Sequence, residues 1–110
     1  MANYRSEEWL ELHRPTALKA LLDLHRDASR FYSSNAIAHQ TFNYDLKSYP
    51  YYIPDLLDAY VEKKLVRTKK FMIRGKATAF YGINPEKIDE ITKHTAKIKR
   101  GKLVGFFLRQ

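Results

Sequence analysis

The sequence contains no cysteine, which excludes disulfide bonds and every metal site built on thiolates. It also lacks an apolar run of about 18 or more residues, and its first residues have none of the apolar character of a signal peptide. The four histidines do not have metal-ligand spacing, so we predict neither a metal ion nor another cofactor. These absences predict a soluble, cytoplasmic (intracellular) protein with no membrane partner.

Convergent catalytic groups are missing as well. The chain has no glycine-rich phosphate loop, no nucleophile beside a base and no carboxylate pair at a plausible spacing. Asp23, His25 and Asp27 lie close in sequence, but residues two apart on a helix do not share a face. We therefore predict that the protein is not an enzyme and has no catalytic residues.

Negative charge is scarce in the second half of the chain. Residues 1–62 carry six Lys/Arg against nine Asp/Glu, a net charge of −3, whereas residues 63–110 carry fourteen against three, a net charge of +11. A basic half predicts a polyanion partner, because each phosphate that a cation neutralises releases condensed counterions. The alternative is a solvated surface that only keeps the protein soluble.

The length and the hydrophobic content of 45% predict a single domain over residues 1–110. A serine cap followed by two acids predicts an N-terminal helix over residues 6–13, ending before Pro15. Apolar residues at helical spacing then predict a second helix from Pro15 to about Ser29.

Two further helices are predicted in the middle of the chain. A short one over about residues 36–42 would turn Ile37 and Phe42 inward. Proline is tolerated in the first turn of a helix but costs about 3 kcal/mol in its interior. The next helix should therefore begin near Ile53 or Pro54 and continue to about residue 64.

A basic β-hairpin is predicted directly after this helix, with strands over residues 66–73 and 76–83 and a turn at Arg74 and Gly75. Period-two alternation places one set of side chains on one face: Val66, Thr68, Met72, Tyr81 and Ile83. The other face takes Arg67, Lys69, Phe71 and Phe80.

Seven cations occur within fourteen residues here, and we predict that they bind nucleic acid: Lys63, Lys64, Arg67, Lys69, Lys70, Arg74 and Lys76. The alternative is that some of them only protect an exposed strand edge from aggregation. A second basic surface comprises Lys93, Lys97, Lys99, Arg100 and Lys102. It either extends the first surface or is a solvated face.

The C-terminal part is predicted to hold one more helix and an apolar tail. Asn84 is a typical cap, and the helix would cover residues 85–99 and end at Gly101. Residues 103–108 form a buried strand or an apolar tail, which its own domain or a second subunit must cover. A homodimer is predicted through Trp9, Ile88, Ile91, Ile98, Phe106 and Phe107.

The spacing of Ile53, Leu57 and Tyr60, followed by Lys64-Leu65-Val66 and a basic hairpin, resembles the winged helix-turn-helix domain of bacterial and archaeal transcription regulators. The resemblance covers residues 16–83, with Lys64 in place of the usual glycine. It implies an α+β, mostly helical fold: a winged helix-turn-helix with the hairpin as wing, an added C-terminal helix and a short apolar tail. It implies double-stranded DNA as the partner and transcription regulation as the function.

The resemblance further implies that the front of the third helix enters the major groove, which would bring Tyr49, Tyr51 and Tyr52 to the DNA. From residue 48 to residue 61 the chain has no Arg, Lys, Asn or Gln, the side chains that read guanine or adenine, and base reading is expected to be limited. The tyrosines can stack on bases or simply pack into the domain. The alternative function is a protein-interaction module, an adaptor or inhibitor, that uses this tyrosine-rich, acidic front.

Overall fold

In the computed structural model, which describes residues 6–47 and 49–99, the chain forms an α+β fold of four α-helices and one two-stranded antiparallel sheet. In chain order the elements are α1 (Glu7–Leu24), α2 (Ser34–Thr41), α3 (Ile53–Glu62), β1 (Val66–Ile73), β2 (Lys76–Ile83) and α4 (Ile88–His94). Short 3-10 turns cover Phe42–Tyr44, Pro50–Tyr52 and Pro85–Lys87.

Helix α1 runs through Pro15 without a break, so the prediction of two helices separated before Pro15 is wrong. Proline removes one helical hydrogen bond. Contacts on the N-terminal side of Pro15 offset this loss: the ring of Trp9 lies 5.6 Å from that of Tyr52, and Arg14 donates to the Glu7 carboxylate at 2.9 Å. The helix ends at Leu24 rather than near Ser29.

Helix α2 begins at Ser34, two residues before the predicted start, because the Ser33 hydroxyl caps it by accepting a hydrogen bond from the Ala36 amide at 3.1 Å. Ile37 is fully buried, but the prediction that Phe42 faces inward is wrong, since its side chain is 53% exposed. Thr41 takes the inward position instead, and its hydroxyl donates a hydrogen bond to the Leu46 carbonyl oxygen at 2.9 Å.

The predicted start of the next helix is confirmed, because α3 begins at Ile53 with Pro54 in its first turn. Leu56 and Leu57 are fully buried on its inner face. Two residues after the last residue of the helix, Lys64 adopts a φ of 68°, the left-handed conformation that glycine favours.

The hairpin has the predicted strands and the predicted faces. Val66 pairs with Ile83 and Ile73 pairs with Lys76, so the turn consists of Arg74 and Gly75. Both turn residues have positive φ, 52° and 78°, as a two-residue hairpin turn that matches the strand twist requires. At its base the hairpin is anchored in the core by three side chains that are at most 3% exposed: Val66, Tyr81 and Ile83.

A third segment pairs with the hairpin near its base, between α1 and α2. The Tyr32 amide donates to the Tyr81 carbonyl oxygen at 2.7 Å, and the Tyr81 amide donates to the Tyr32 carbonyl oxygen at 2.9 Å. This bridge brings Phe31 and the Arg30 carbonyl oxygen against Gly82. The sequence did not predict it.

The C-terminal helix is shorter than the predicted span of residues 85–99. Asn84 caps the 3-10 turn Pro85–Lys87 instead, accepting from the Glu86 amide at 3.1 Å, whereas α4 begins only at Ile88, has no side-chain cap and ends at His94. The buried Thr95 hydroxyl donates to the Ile91 carbonyl oxygen at 2.9 Å. That bond accompanies the end of the helix. Gly101 and the predicted tail over residues 103–108 lie outside the described residues.

One hydrophobic cluster joins all four helices to the base of the hairpin. Its largest fully buried apolar side chains are Leu18, Leu21, Ile37, Ile53, Leu56, Leu57, Ile83 and Ile91. Each such side chain contributes about 1.5–3 kcal/mol to folding. Among the described residues, no helix is both long enough and apolar enough to cross a membrane.

Candidate nucleic-acid interface

The outer part of the hairpin projects from the core. Exposure increases from Val66, which is buried, towards the turn, where residues 70–77 are all exposed. Six of the seven predicted binding cations lie on this outer part or at the corner between α3 and β1 and are exposed: Lys63, Lys64, Lys69, Lys70, Arg74 and Lys76.

None of these six exposed cations forms an ion pair with a carboxylate within residues 6–47 and 49–99; the ion pairs found there involve Arg14, Lys19, Arg30 and Lys87. We call the six the hairpin cations. A cation without a carboxylate partner can meet a phosphate without first breaking an ion pair. The hairpin cations are therefore a candidate surface for a polyanion.

Arg67, the seventh predicted cation, has a different environment. Its side chain is half-buried, and Nη2 donates to the Ala28 carbonyl oxygen at 2.6 Å. Its guanidinium carbon lies 4.9 Å from the centre of the Phe31 ring, a cation–π contact. Arg67 therefore holds the segment after α1 against the hairpin, and it is less available to a phosphate than its neighbours.

One face of the hairpin combines aromatic rings with these cations. The rings of Phe71 and Phe80 meet edge to face, with centres 5.0 Å apart. Lys69 Nζ lies 5.4 Å from the centre of Phe71 and 5.8 Å from that of Phe31. Phe31, Phe71 and Phe80 line an open cleft of about 570 Å³. We call this surface, formed by the three phenylalanines with Arg67 and Lys69, the aromatic face.

The rings of the three tyrosines predicted to contact DNA lie against one another, but only two of them are exposed. Tyr52 is 4% exposed and belongs to the core, so its predicted role at an interface is wrong. The 3-10 turn before α3 directs its ring towards Trp9. Tyr49 and Tyr51 are 46% and 56% exposed, and their rings stack with centres 5.7 Å apart.

The solvent side of α3 is acidic. Asp55, Asp58 and Glu62 are exposed and spaced by three and four residues, so that they lie along one face of the helix. Partial desolvation, together with repulsion from Asp55 and Glu62, raises the pKa of Asp58. This face would repel a phosphate backbone that approached it.

The second predicted basic surface is only partly described. Lys93, Lys97 and Lys99 are exposed, whereas Arg100 and Lys102 lie outside the described residues. Lys97 and Lys63 line the same cleft of about 400 Å³, together with Arg14 and His94. One member of the second surface therefore adjoins the hairpin cations.

Comparison with models of known protein families and with curated proteins finds no match to this chain. A function is therefore inferred from the residues of the chain itself.

Three of the predicted dimerisation residues belong to the chain's own hydrophobic cluster or pack against it: Trp9, Ile88 and Ile91. Ile91 is fully buried in the chain's own core, so it cannot contact a second subunit, and this part of the prediction is wrong. Trp9 and Ile88 are half-buried against the same core, and Ile98 is half-buried beyond α4. Phe106 and Phe107 lie outside the described residues.

Phe31 and Arg30, which complete the cleft beside the hairpin, were not predicted as site residues. The only available signal was the alternation of Phe71 and Phe80 with cations along the two strands, which places two aromatic rings and Lys69 on one face. Nothing local in the sequence indicates that Phe31 joins them, because the bridge at Tyr32 is a long-range contact.

Proposed function

We propose that the chain is a DNA-binding protein with a winged helix-turn-helix domain, in which α2 and α3 form the helix pair and the hairpin is the wing. The order of elements supports this proposal: a helix, the bridging segment at Tyr32, two helices and two strands. Lys64 supports it too, because its positive φ suits the position where such domains usually have glycine.

The observation that carries the proposal is the exposed hairpin whose cations have no carboxylate partner in the described chain. Such cations bind phosphates with a gain from released counterions, independently of base sequence. The acids on α3 disfavour insertion of this helix into a groove. We therefore infer a small transcriptional regulator that binds duplex DNA through its wing with limited base reading.

The test is charge reversal at the wing. Changing Lys69, Lys70 and Arg74 to Glu should reduce affinity for random-sequence duplex by more than tenfold at low salt. Each phosphate contact that is lost should lower the slope of log affinity against log salt by about 0.9, a total of about 3 for three contacts. Fluorescence anisotropy with labelled duplex, measured over a salt series, gives both values.

A matched control changes the net charge by the same amount elsewhere. Arg26, Lys47 and Lys87 lie outside the hairpin, and their replacement by Glu gives the same change in net charge while the hairpin keeps all of its cations. The control should retain most of the affinity. Equal losses in the two triple variants would show that the wing has no special role, and this result would contradict the proposal.

The second candidate is a protein-interaction module, and the acidic face of α3 beside two exposed tyrosines favours it. Tyrosine is enriched at interaction hot spots, and the carboxylates would suit a basic partner surface. This function and DNA binding can coexist, because they use different surfaces.

Its test is a pair of variants on this surface. Tyr51→Ala combined with Asp58→Lys should abolish recovery of a specific partner in affinity purification but leave binding to duplex unchanged or stronger. The wing variant at Lys69, Lys70 and Arg74 should instead retain recovery of the partner and lose affinity for duplex. Partner recovery that survives the α3 changes would contradict this second function.

A further inference from the structure

The aromatic face has a composition that phosphate binding alone does not require. Phe71 is 40% exposed and Ile73, on the same face, is 45% exposed, although neither contributes charge. Exposed apolar side chains at neighbouring positions of a projecting hairpin are unfavourable in water. Lysines alone would bind phosphates equally well, so these rings indicate a ligand that is itself partly apolar and planar.

The positions of the cations around the rings indicate what kind of ligand this is. Lys69 Nζ lies between two rings, 5.4 Å from the centre of Phe71 and 5.8 Å from that of Phe31. Aromatic rings interleaved with cations in a groove are typical of surfaces that bind single-stranded nucleic acid, where bases stack on the rings and phosphates meet the cations. The edge-to-face contact with Phe80 fixes the orientation of Phe71.

Bases inside a duplex cannot use such a surface, because their faces are covered by neighbouring base pairs. A base must be unpaired, or at a frayed or opened position, before a phenylalanine can stack on it. The open cleft of about 570 Å³ beside Phe71 and Phe80 provides space for a ring of this kind.

A membrane surface is the other ligand that combines apolar and anionic groups, and the layout of the hairpin disfavours it. Arg74 forms the turn and Lys76 adjoins it, whereas Phe71 is paired with Thr78, further back along the strands. Insertion of the turn into an apolar layer would therefore carry these cations in, together with Met72 and Ile73, before the aromatic rings entered. The order of residues along the hairpin therefore favours a ligand that lies across the aromatic face over an apolar layer that the turn would have to enter.

We propose that the aromatic face binds unpaired bases of a nucleic acid strand, with Phe71 as the stacking residue and Lys69 contacting the adjacent phosphate. This inference rests on the proposed function, since it assigns a ligand to one face of the same wing. It changes the expected preference: the protein binds single-stranded or locally opened DNA more tightly than uninterrupted duplex.

The experiment compares probes with equal charge and different bases. Fluorescence anisotropy is measured with oligothymidylate, with an oligomer of the same length built of abasic sites, and with duplex. Stacking of one base contributes a factor of about 5 to 150 in affinity. The unaltered protein should bind oligothymidylate at least about fivefold more tightly than the abasic oligomer.

Variants of Phe71 then test the assigned residue. Phe71→Ala should abolish the difference between the two oligomers without weakening binding of the abasic one, and Phe71→Trp should preserve the difference. Phe71→Leu keeps an apolar side chain and removes the aromatic ring, so it gives the same answer if the alanine variant folds poorly. Phe42→Ala is the matched control, because Phe42 is 53% exposed and lies outside the hairpin.

The outcomes separate this inference from the proposed function. Equal affinity for thymidylate and abasic oligomers, with binding that still depends on the hairpin cations, would overturn the stacking proposal alone. Failure to bind any nucleic acid at low salt would overturn both. Binding to vesicles of anionic lipid that requires Phe71, without any dependence on bases, would also overturn the stacking proposal and assign the face to a membrane surface.

Discussion

Replacing Gly82 by alanine should destabilise the fold by overpacking the junction between the hairpin and the segment before α2. A Cβ atom at residue 82 would lie 2.9 Å from the Arg30 carbonyl oxygen and 3.2 Å from a ring carbon of Phe31. The first of these contacts is with backbone, which cannot move away by changing a rotamer. Either the bridge between Tyr32 and Tyr81 must separate or the hairpin must tilt.

The expected loss is about 1–3 kcal/mol, the usual range for an added methyl group in a packed site. We place it in the upper half of that range, about 2–3 kcal/mol, because the two hydrogen bonds of the Tyr32–Tyr81 bridge, at 2.7 and 2.9 Å, resist the required shift. A loss of this size lowers the melting temperature by roughly 8–12 °C in a domain of this length, at about 4 °C per kcal/mol.

Urea denaturation followed by circular dichroism measures the loss directly. Gly75→Ala is the control: nothing lies within 4 Å of a Cβ there, although its φ of 78° makes the alanine strained by backbone conformation alone. Gly82→Ala should cost more than this control and should also change the environment of Phe31. A variant at residue 82 that is as stable as the unaltered protein would refute the close approach of the two segments.

Two further predictions concern single features of the backbone and the core. Lys64→Gly should stabilise the protein by about 0.5–1 kcal/mol in urea denaturation, because glycine adopts a φ of 68° without strain. Lys63→Gly is the control and should not stabilise the protein, because φ at residue 63 is −84°. Burial raises the pKa of Tyr60 and of Tyr81 to about 12, above the ordinary value near 10, so the folded state favours the neutral hydroxyls. Each neutral hydroxyl therefore stabilises the folded state by about 1.4 kcal/mol after solvent screening. This stabilisation is fully present below pH 10 and is lost as the pH rises towards 12. Thermal unfolding from pH 9 to 12 checks this, and Tyr81→Phe should reduce the dependence on pH.

The hairpin could be predicted from sequence to the residue because its determinants are local. Period-two alternation specifies which side chains share a face, and a two-residue turn at Arg74 and Gly75 leaves one register. The start of α3 at Ile53 was predictable for the same reason, since Pro54 restricts its own neighbourhood. Local rules worked wherever a local interaction determined the outcome.

The predicted break before Pro15 failed because tertiary contacts outweigh a local penalty. A proline inside a helix costs about 3 kcal/mol, and a local sequence pattern reflects only this cost. They do not express the contact between Trp9 and Tyr52 or the buried side chains that follow Pro15 on the same helix. The prediction that Phe42 faces inward failed for a similar reason. The Thr41 hydroxyl donates a hydrogen bond to a backbone carbonyl oxygen, so Thr41 can take the buried position.

The candidate site was half predictable for a related reason. The cations follow from composition, and Phe71 and Phe80 follow from strand alternation. Phe31 joins them only through the bridge at Tyr32, a pairing between segments far apart in sequence that no short pattern encodes. Arg67 was predicted to bind nucleic acid because its charge can be read from the sequence. Its hydrogen bond to the Ala28 carbonyl oxygen cannot be read from the sequence.

The distribution of charge around the hairpin determines which side of it a polyanion can approach. Tyr81 lies on the face of the sheet opposite the aromatic face, and Asp58 and Asp55 contribute, after burial, to its raised pKa. The acids of α3 therefore lie near the base of that face. The aromatic face carries Lys69 on the other side of the sheet. A strand lying there meets cations first, whereas a duplex pressed against α3 would bring its phosphates to the acids. Under the proposed function, the arrangement that gives α3 little capacity to read a groove would also direct nucleic acid to the rings.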